Sequence, residues 1–221
     1  MTQPDARLLK MKNLKIQIIA LPILLLAACS NPADKVPAAQ VSSSTNTAAA
    51  ASSGAEGRVL AINPAASKVE FIGSKVTGSH SGGFTNFSGE LKVANGKLSA
   101  AGSKVVIEMA SLWADNDRLA GHLKNADFFD VAKFTTSIFE TVSIAEQATN
   151  SVITGNLTMH GVTKQISFPA VVQVSQDKVS LSAEFAINRF DFDMKFAGKS
   201  DDLIRKEVVL KLNVSAAPAK L

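Results

Sequence analysis

The sequence predicts an all-β protein whose strands carry one apolar and one mostly polar face, and three stretches predict it. Val179, Leu181, Ala183, Phe185 and Ile187 alternate with Ser180, Ser182, Glu184 and Ala186. Val208, Leu210, Leu212 and Val214 alternate mainly with Lys211, Asn213 and Ser215. In and beside "GNLTMHGVTKQISFP" (155–169), Ile153, Gly155, Leu157 and Met159 alternate with Thr154, Asn156 and Thr158, and Ile166, Phe168 and Ala170 with Gln165 and Ser167. A period of two with one apolar face is the pattern of antiparallel sheet wetted on one side. About eight such segments with short connections predict a barrel or a sandwich.

Taken from the start, the 221 residues begin with a segment unlike the rest. In "MKNLKIQIIALPILLLAACSN", lysines precede an apolar run of about eleven residues, within the signal-peptide range. That run is shorter than the roughly 20 residues a membrane-spanning helix needs. Leu26-Ala27-Ala28-Cys29 resembles the lipobox of bacterial lipoproteins. The resemblance implies cleavage before Cys29, a diacylglyceryl thioether on its sulfur and a fatty acyl group such as palmitate on the new amine. Ser30 after the cysteine resembles the sorting signal for the outer membrane, with the domain facing the periplasm. Met11 gives a more compact basic start than Met1.

Residues 29–57, "CSNPADKVPAAQVSSSTNTAAAASSGAEG", hold almost no large apolar side chain and read as a disordered tether. The ordered domain is expected over 58–217. Its first strands show Val69 and Phe71 between Lys68, Glu70 and Ile72, then Val105, Ile107 and Met109 on one parity. The period breaks once, in "ADNDRLAGHLKNADFFD". There Leu119, His122 and Leu123 stand at helical spacing behind Asp115 or Asn116 as N-cap, which predicts a short helix able to cover one barrel end. His160-Gly161, between two alternating runs, predicts a tight turn, because histidine tolerates positive φ and glycine adopts it freely.

The charge of +4 argues little for nucleic acid. Residues 1–28 hold Arg7, Lys10, Lys12 and Lys15 against Asp5, which leaves about +1 for the remainder and no basic run. Cys29 is the only cysteine, so no intrachain disulfide forms. Catalysis finds no motif. "GSHSG" at 78–82 centres on His80 rather than a serine and reads as a glycine-serine hairpin. The three histidines fall in separate segments without metal-ligand spacing, and "DNDRLA" lacks the glycine of a calcium loop. No catalytic residue, metal or cofactor is predicted.

Four segments resemble the YceI-like family in order: "HLKNADFFDVAKFTTSIFE", "GNLTMHGVTKQISFP", "INRFDFDM" and "DDLIRKEVVLKLNVSA". Arg118, His122-Leu123, Asp127-Phe128-Phe129-Asp130 and the run from Leu157 to Lys164 carry the resemblance most specifically. It implies an extended eight-stranded antiparallel lipocalin-like barrel around a long apolar ligand, typically a polyisoprenoid chain and sometimes a fatty-acid-like molecule. The chain departs from the pattern in having no tyrosine.

Phe71, Phe128, Phe129, Phe134, Phe168, Phe185, Phe190 and Phe192 are the cavity candidates, although aromatics fill cores as readily as they line pockets. For a ligand's polar head, Arg118 and His122 lie one helical turn apart, with Arg189 as a further cation. Ion pairs of the arginines with Asp117, Asp191 or Asp193 are the equal alternative. The expectation is a lipid-anchored envelope protein that sequesters or carries an isoprenoid-like lipid without chemistry, a homodimer being a candidate assembly. The alternative is a structural or stress-related envelope protein with a filled barrel that acts through partners.

Overall fold

A computed structural model describes residues 31–44 and 57–219. The strands are β1 (Gln40–Ser43), β2 (Arg58–Ile62), β3 (Lys68–Lys75), β4 (Gly78–Phe84), β5 (Phe87–Ala94), β6 (Lys97–Glu108) and β7 (Leu112–Ala114). After the helix α1 (Asp117–Lys124) come β8 (Thr136–Glu146), β9 (Ser151–Met159), β10 (Val162–Val174), β11 (Val179–Asn188), β12 (Gly198–Lys199) and β13 (Asp202–Ala217). Each of the pairs β2–β3, β4–β5 and β6–β7 is one long strand broken once. The antiparallel ring therefore has eight staves: β2/β3, β4/β5, β6/β7, β8, β9, β10, β11 and β13, the last pairing back onto β2 and β3. The ring is the expected closed eight-stranded barrel.

Local chemistry sets the connections. Met159 pairs with Val162 across His160 at φ +51° and Gly161 at φ +74°. Two positive φ values in a two-residue loop suit the right-handed twist of the flanking strands. His160 is thus a turn residue, and it also ties two loops together. Its Nδ1 lies 3.1 Å from the Phe192 carbonyl and its ring 4.7 Å from that of Phe134. Asn116 caps α1, its Oδ1 accepting from the Leu119 amide at 3.0 Å. "GSHSG" forms strand β4, just past the Val76-Thr77 turn, rather than the turn itself.

Packing divides the barrel in two. At the end remote from α1, Leu60, Ile62, Phe87, Leu91, Val93, Val179 and Ala216 form a solid core. At the α1 end, side chains line the wall around a cavity.

The tether expectation needs correction. Residues 45–56 of it, Cys29 and Ser30, and the whole signal segment 1–28 lie outside the described residues, but residues 31–43 fold onto the barrel. The reason is a row of apolar residues on the outer face: Ile72 pairs with Val209, and Val209 with Ala186. Ala33 and Val36 cover this row. The chain then enters the wall. β10 pairs β11 only over Val171–Val174, and higher up the seam is filled by the N-terminal segment. Ala39 donates to the Ala186 carbonyl at 2.8 Å, Ala186 donates to the Pro37 carbonyl at 2.9 Å, and β1 pairs β10 from Gln40↔Ser167 to Ser43↔Lys164. Ala39 and Val41 pack into the interior cluster. Composition hid this strap because backbone hydrogen bonds and small side chains hold it.

Candidate functional site

The cavity measures about 390 Å³, within the range of pockets that hold small molecules. Phe71, Phe84, Val105, Ile107, Met109, Phe139, Leu157, Met159, Phe168, Phe185, Leu210 and Leu212 form its wall, while Leu119 and Leu123 of α1 and the following Phe128 and Phe129 cover part of its end. Alternation turns these side chains inward, and two glycines decide how they lie. A Cβ at Gly82 would stand 2.4 Å from the ring of Phe71, and one at Gly155 would stand 2.3 Å from the ring of Phe139. Each ring folds back over a glycine of the neighbouring stave, which keeps it against the wall. Phe168 and Phe185 stack with centroids 4.1 Å apart. Gly73 also lines the cavity, and a Cβ there would meet nothing within 4 Å.

Of the eight candidate phenylalanines, Phe71, Phe128, Phe129, Phe168 and Phe185 line the cavity. The other three do not. Phe134 packs on His160, Phe192 is buried in the surrounding core, and Phe190 is 39% exposed under the Arg189 guanidinium. These three follow or precede strands, where alternation no longer fixes direction. Phe84 and Phe139, both on strands, escaped the sequence reading.

Polar groups gather at the α1 end, where Lys75, His80 and Arg205 line the cavity and keep part of their surface in solvent. This end is the mouth. Lys75 bonds Asp202, whose carboxyl that ammonium and then Thr77 hold below its usual value. His80 Nδ1 lies 2.9 Å from Asp115 Oδ1, and Asp115 is held low by the Ser81 amide first and by His80 next. Of the three head-group candidates only Arg189 reaches the cavity. Arg118 is exposed, and His122 contacts Asp127 at 3.0 Å and the rings of Phe128 and Phe196.

Arg189 is 3% exposed, and backbone carbonyls rather than a carboxylate receive its protons: those of Arg205, Met194, Phe196 and Ile204, at 2.5–3.2 Å. The alternative reading, an ion pair of Arg189 with an aspartate, gives way to this cage, and Asp193 pairs with Lys195 at 2.6 Å. Burial lowers the pKa of the guanidinium from its ordinary value. The cage fixes the loop between β11 and β13 as part of the rim. Deeper in the wall, Ser137 is 3% exposed and its Oγ has no hydrogen-bond partner.

The sequence matches the YceI-like domain over residues 60–216. The chain belongs to the YceI-like family. A relative, a UPF0312 protein of Pseudomonas putida, is 28% identical over 134 residues, spanning 58% of this chain and 70% of the relative. A UPF0312 protein of Vibrio vulnificus is 31% identical over 90 residues, which span 40% of this chain and 48% of that one. Among solved structures, BcnA of Burkholderia cenocepacia superposes with a TM-score of 0.64 at 21% identity, over 71% of this chain and 99% of that one. A polyisoprenoid binding domain from Saccharophagus degradans gives 0.58 at 17% identity, over 72% and 98%. These likenesses establish a shared barrel.

The cavity wall is largely apolar, and Ser137 Oγ is a hydroxyl on it without a hydrogen-bond partner. Ser81 Oγ lies 3.4 Å from the Asp115 carboxylate, while Nδ1 of His80 is occupied by that same carboxylate. Among the described residues no group of three or more His, Cys, Asp or Glu side chains is placed to hold a metal.

Proposed function

We propose that the protein binds one elongated apolar lipid of the isoprenoid type and shields it from water in the bacterial envelope. The observation that carries this reading is the apolar cavity of about 390 Å³ inside a YceI-like barrel. The polyisoprenoid binding of the Saccharophagus domain supports the ligand class. Transfer of the chain from water gains about 25 cal/mol per Å² of apolar surface. The polar head lies at the mouth among Lys75, His80 and Arg205, in place of the expected Arg118 and His122. The filled-barrel alternative describes only the half of the barrel remote from α1.

The second part of the proposal is the anchor. The lipobox-like Leu26-Ala27-Ala28-Cys29 supports acylation of Cys29 and attachment to the outer membrane, with the barrel in the periplasm. More than one acyl chain gives stable attachment. Organic extraction and mass spectrometry of protein purified from membranes test the ligand: a stoichiometric prenyl compound is expected, and reproducibly empty protein after incubation with prenyl lipids and fatty acids contradicts it. Cys29→Ser tests the anchor, and the variant is expected in the soluble fraction.

A further inference from the structure

We infer that the barrel docks on the bilayer with its mouth toward the lipid. This inference rests on the acylation of Cys29 proposed above. The first described residue, Asn31, is buried at the mouth end, its Oδ1 accepting from Ser74 Oγ at 3.1 Å and from the Ala33 amide at 3.2 Å. Asn31 and Pro32 share a cleft with Ser74, Lys75 and Arg205, and those three also line the main cavity. Two peptide units separate Cys29 from Asn31, so their Cα atoms are at most about 7 Å apart whatever the chain does between them. An acylated Cys29 therefore holds the rim, not merely the chain, at the membrane surface.

The two barrel ends differ as this orientation requires. At the mouth end, Val76 is 50% exposed, Leu203 48%, Phe190 39% and Phe196 36%, whereas the exposed Val59 and Val171 of the other half stand singly on strands β2 and β10. Val76 and Leu203 are joined by a backbone hydrogen bond of 3.2 Å, so the two hairpin tips form one apolar projection. The opposite end closes with Asn95-Gly96, Gln147 to Asn150 and Ser175 to Lys178, turns without a large apolar side chain. Apolar tips suit the boundary of headgroups and acyl chains, while polar turns suit water. Three rim lysines are paired, Lys75 with Asp202, Lys195 with Asp193 and Lys206 with Glu207. The apolar tips therefore make the docking contact. A lipid then passes between leaflet and cavity without crossing water.

The test uses the full acylated protein in vesicles of phosphatidylethanolamine and phosphatidylglycerol carrying a headgroup-linked energy acceptor. A donor dye is placed on Ser200→Cys at the mouth end or on Gln176→Cys at the far end; acylation blocks the native cysteine. Energy transfer is expected to be at least about threefold stronger from position 200, since the two labels stand a barrel length apart. Val76→Glu with Leu203→Glu is expected to lower transfer from position 200 while the protein still sediments with the vesicles. Equal transfer from both positions, or stronger transfer from 176, overturns the orientation and leaves the anchor standing. Wild-type protein that fails to sediment overturns the anchor and the orientation with it.

Discussion

At the end remote from α1, Leu60, Phe87, Leu91 and Val179 close on one another, whereas at the α1 end the same staves stand around a cavity of about 390 Å³. Both halves obey the same alternation, so hydrophobic pattern does not decide which is hollow. What differs is the inward partner of each large side chain. In the solid half a large residue faces another large residue. In the hollow half Phe71 and Phe139 lie over Gly82 and Gly155, and Gly73 fills nothing. Inward glycines let rings lie flat along the wall, as aromatic side chains do over glycines in curved sheets. The hollow half also takes a ninth wall element, the strap, where β10 and β11 part.

The contrast can be broken in stages. Phe87→Ala removes a buried ring from the solid half and is expected to cost about 3–5 kcal/mol in urea unfolding. Removal of everything before Gly57, the strap of residues 31–44 included, is expected to cost about 3 kcal/mol, since Val36 and Val41 alone bury much of two valine side chains. Unchanged stability in that truncation would return the strap to the status of a tether. Gly155→Ala places a Cβ 2.7 Å from the Glu140 carbonyl as well as against Phe139, and is expected to cost about 1–3 kcal/mol. The displaced ring should enter the lumen and reduce lipid content.

The smallest effect is one of pH. The Lys75 ammonium depresses the Asp202 carboxyl, so the stabilisation is complete above the carboxylate's ordinary value near 3.8 and is lost as pH falls through the lower folded value. Melting temperature should therefore fall more steeply in acid for the wild type than for Asp202→Asn, with the difference reduced by salt. Parallel acid profiles would remove Asp202 from the account.

The ring of eight strands was legible because β9, β11 and β13 alternate over nine or more residues. The turn at His160 and the cap at Asn116 were legible because both depend on local chemistry. The strap was not read, yet its docking row left a trace: Ile72, Ala186 and Val209 are apolar on the parity that otherwise carries Glu70, Glu184 and Lys211. Three such breaks are invisible as a row until register aligns them. The cavity was half legible. Strand phenylalanines pointed inward as parity required, while Phe190 and Phe192 sit in a 3-10 helix and Phe134 in a connection, which parity does not reach. Arg189 was placed at the right end for a different reason, since the carbonyls that cage it come from the irregular loop and the start of β13.

Lipid occupancy of the Gly73→Leu variant beside the wild type tests the central claim most directly. The added side chain has open space, and Gly73 has no positive φ, so folding stability should change by less than about 1 kcal/mol. Native mass spectrometry is expected to show one bound lipid on the wild type and a loss of at least about tenfold in the variant, equivalent to 1.4 kcal/mol of binding. Equal occupancy in two equally stable proteins would place the lipid outside the cavity and contradict the account.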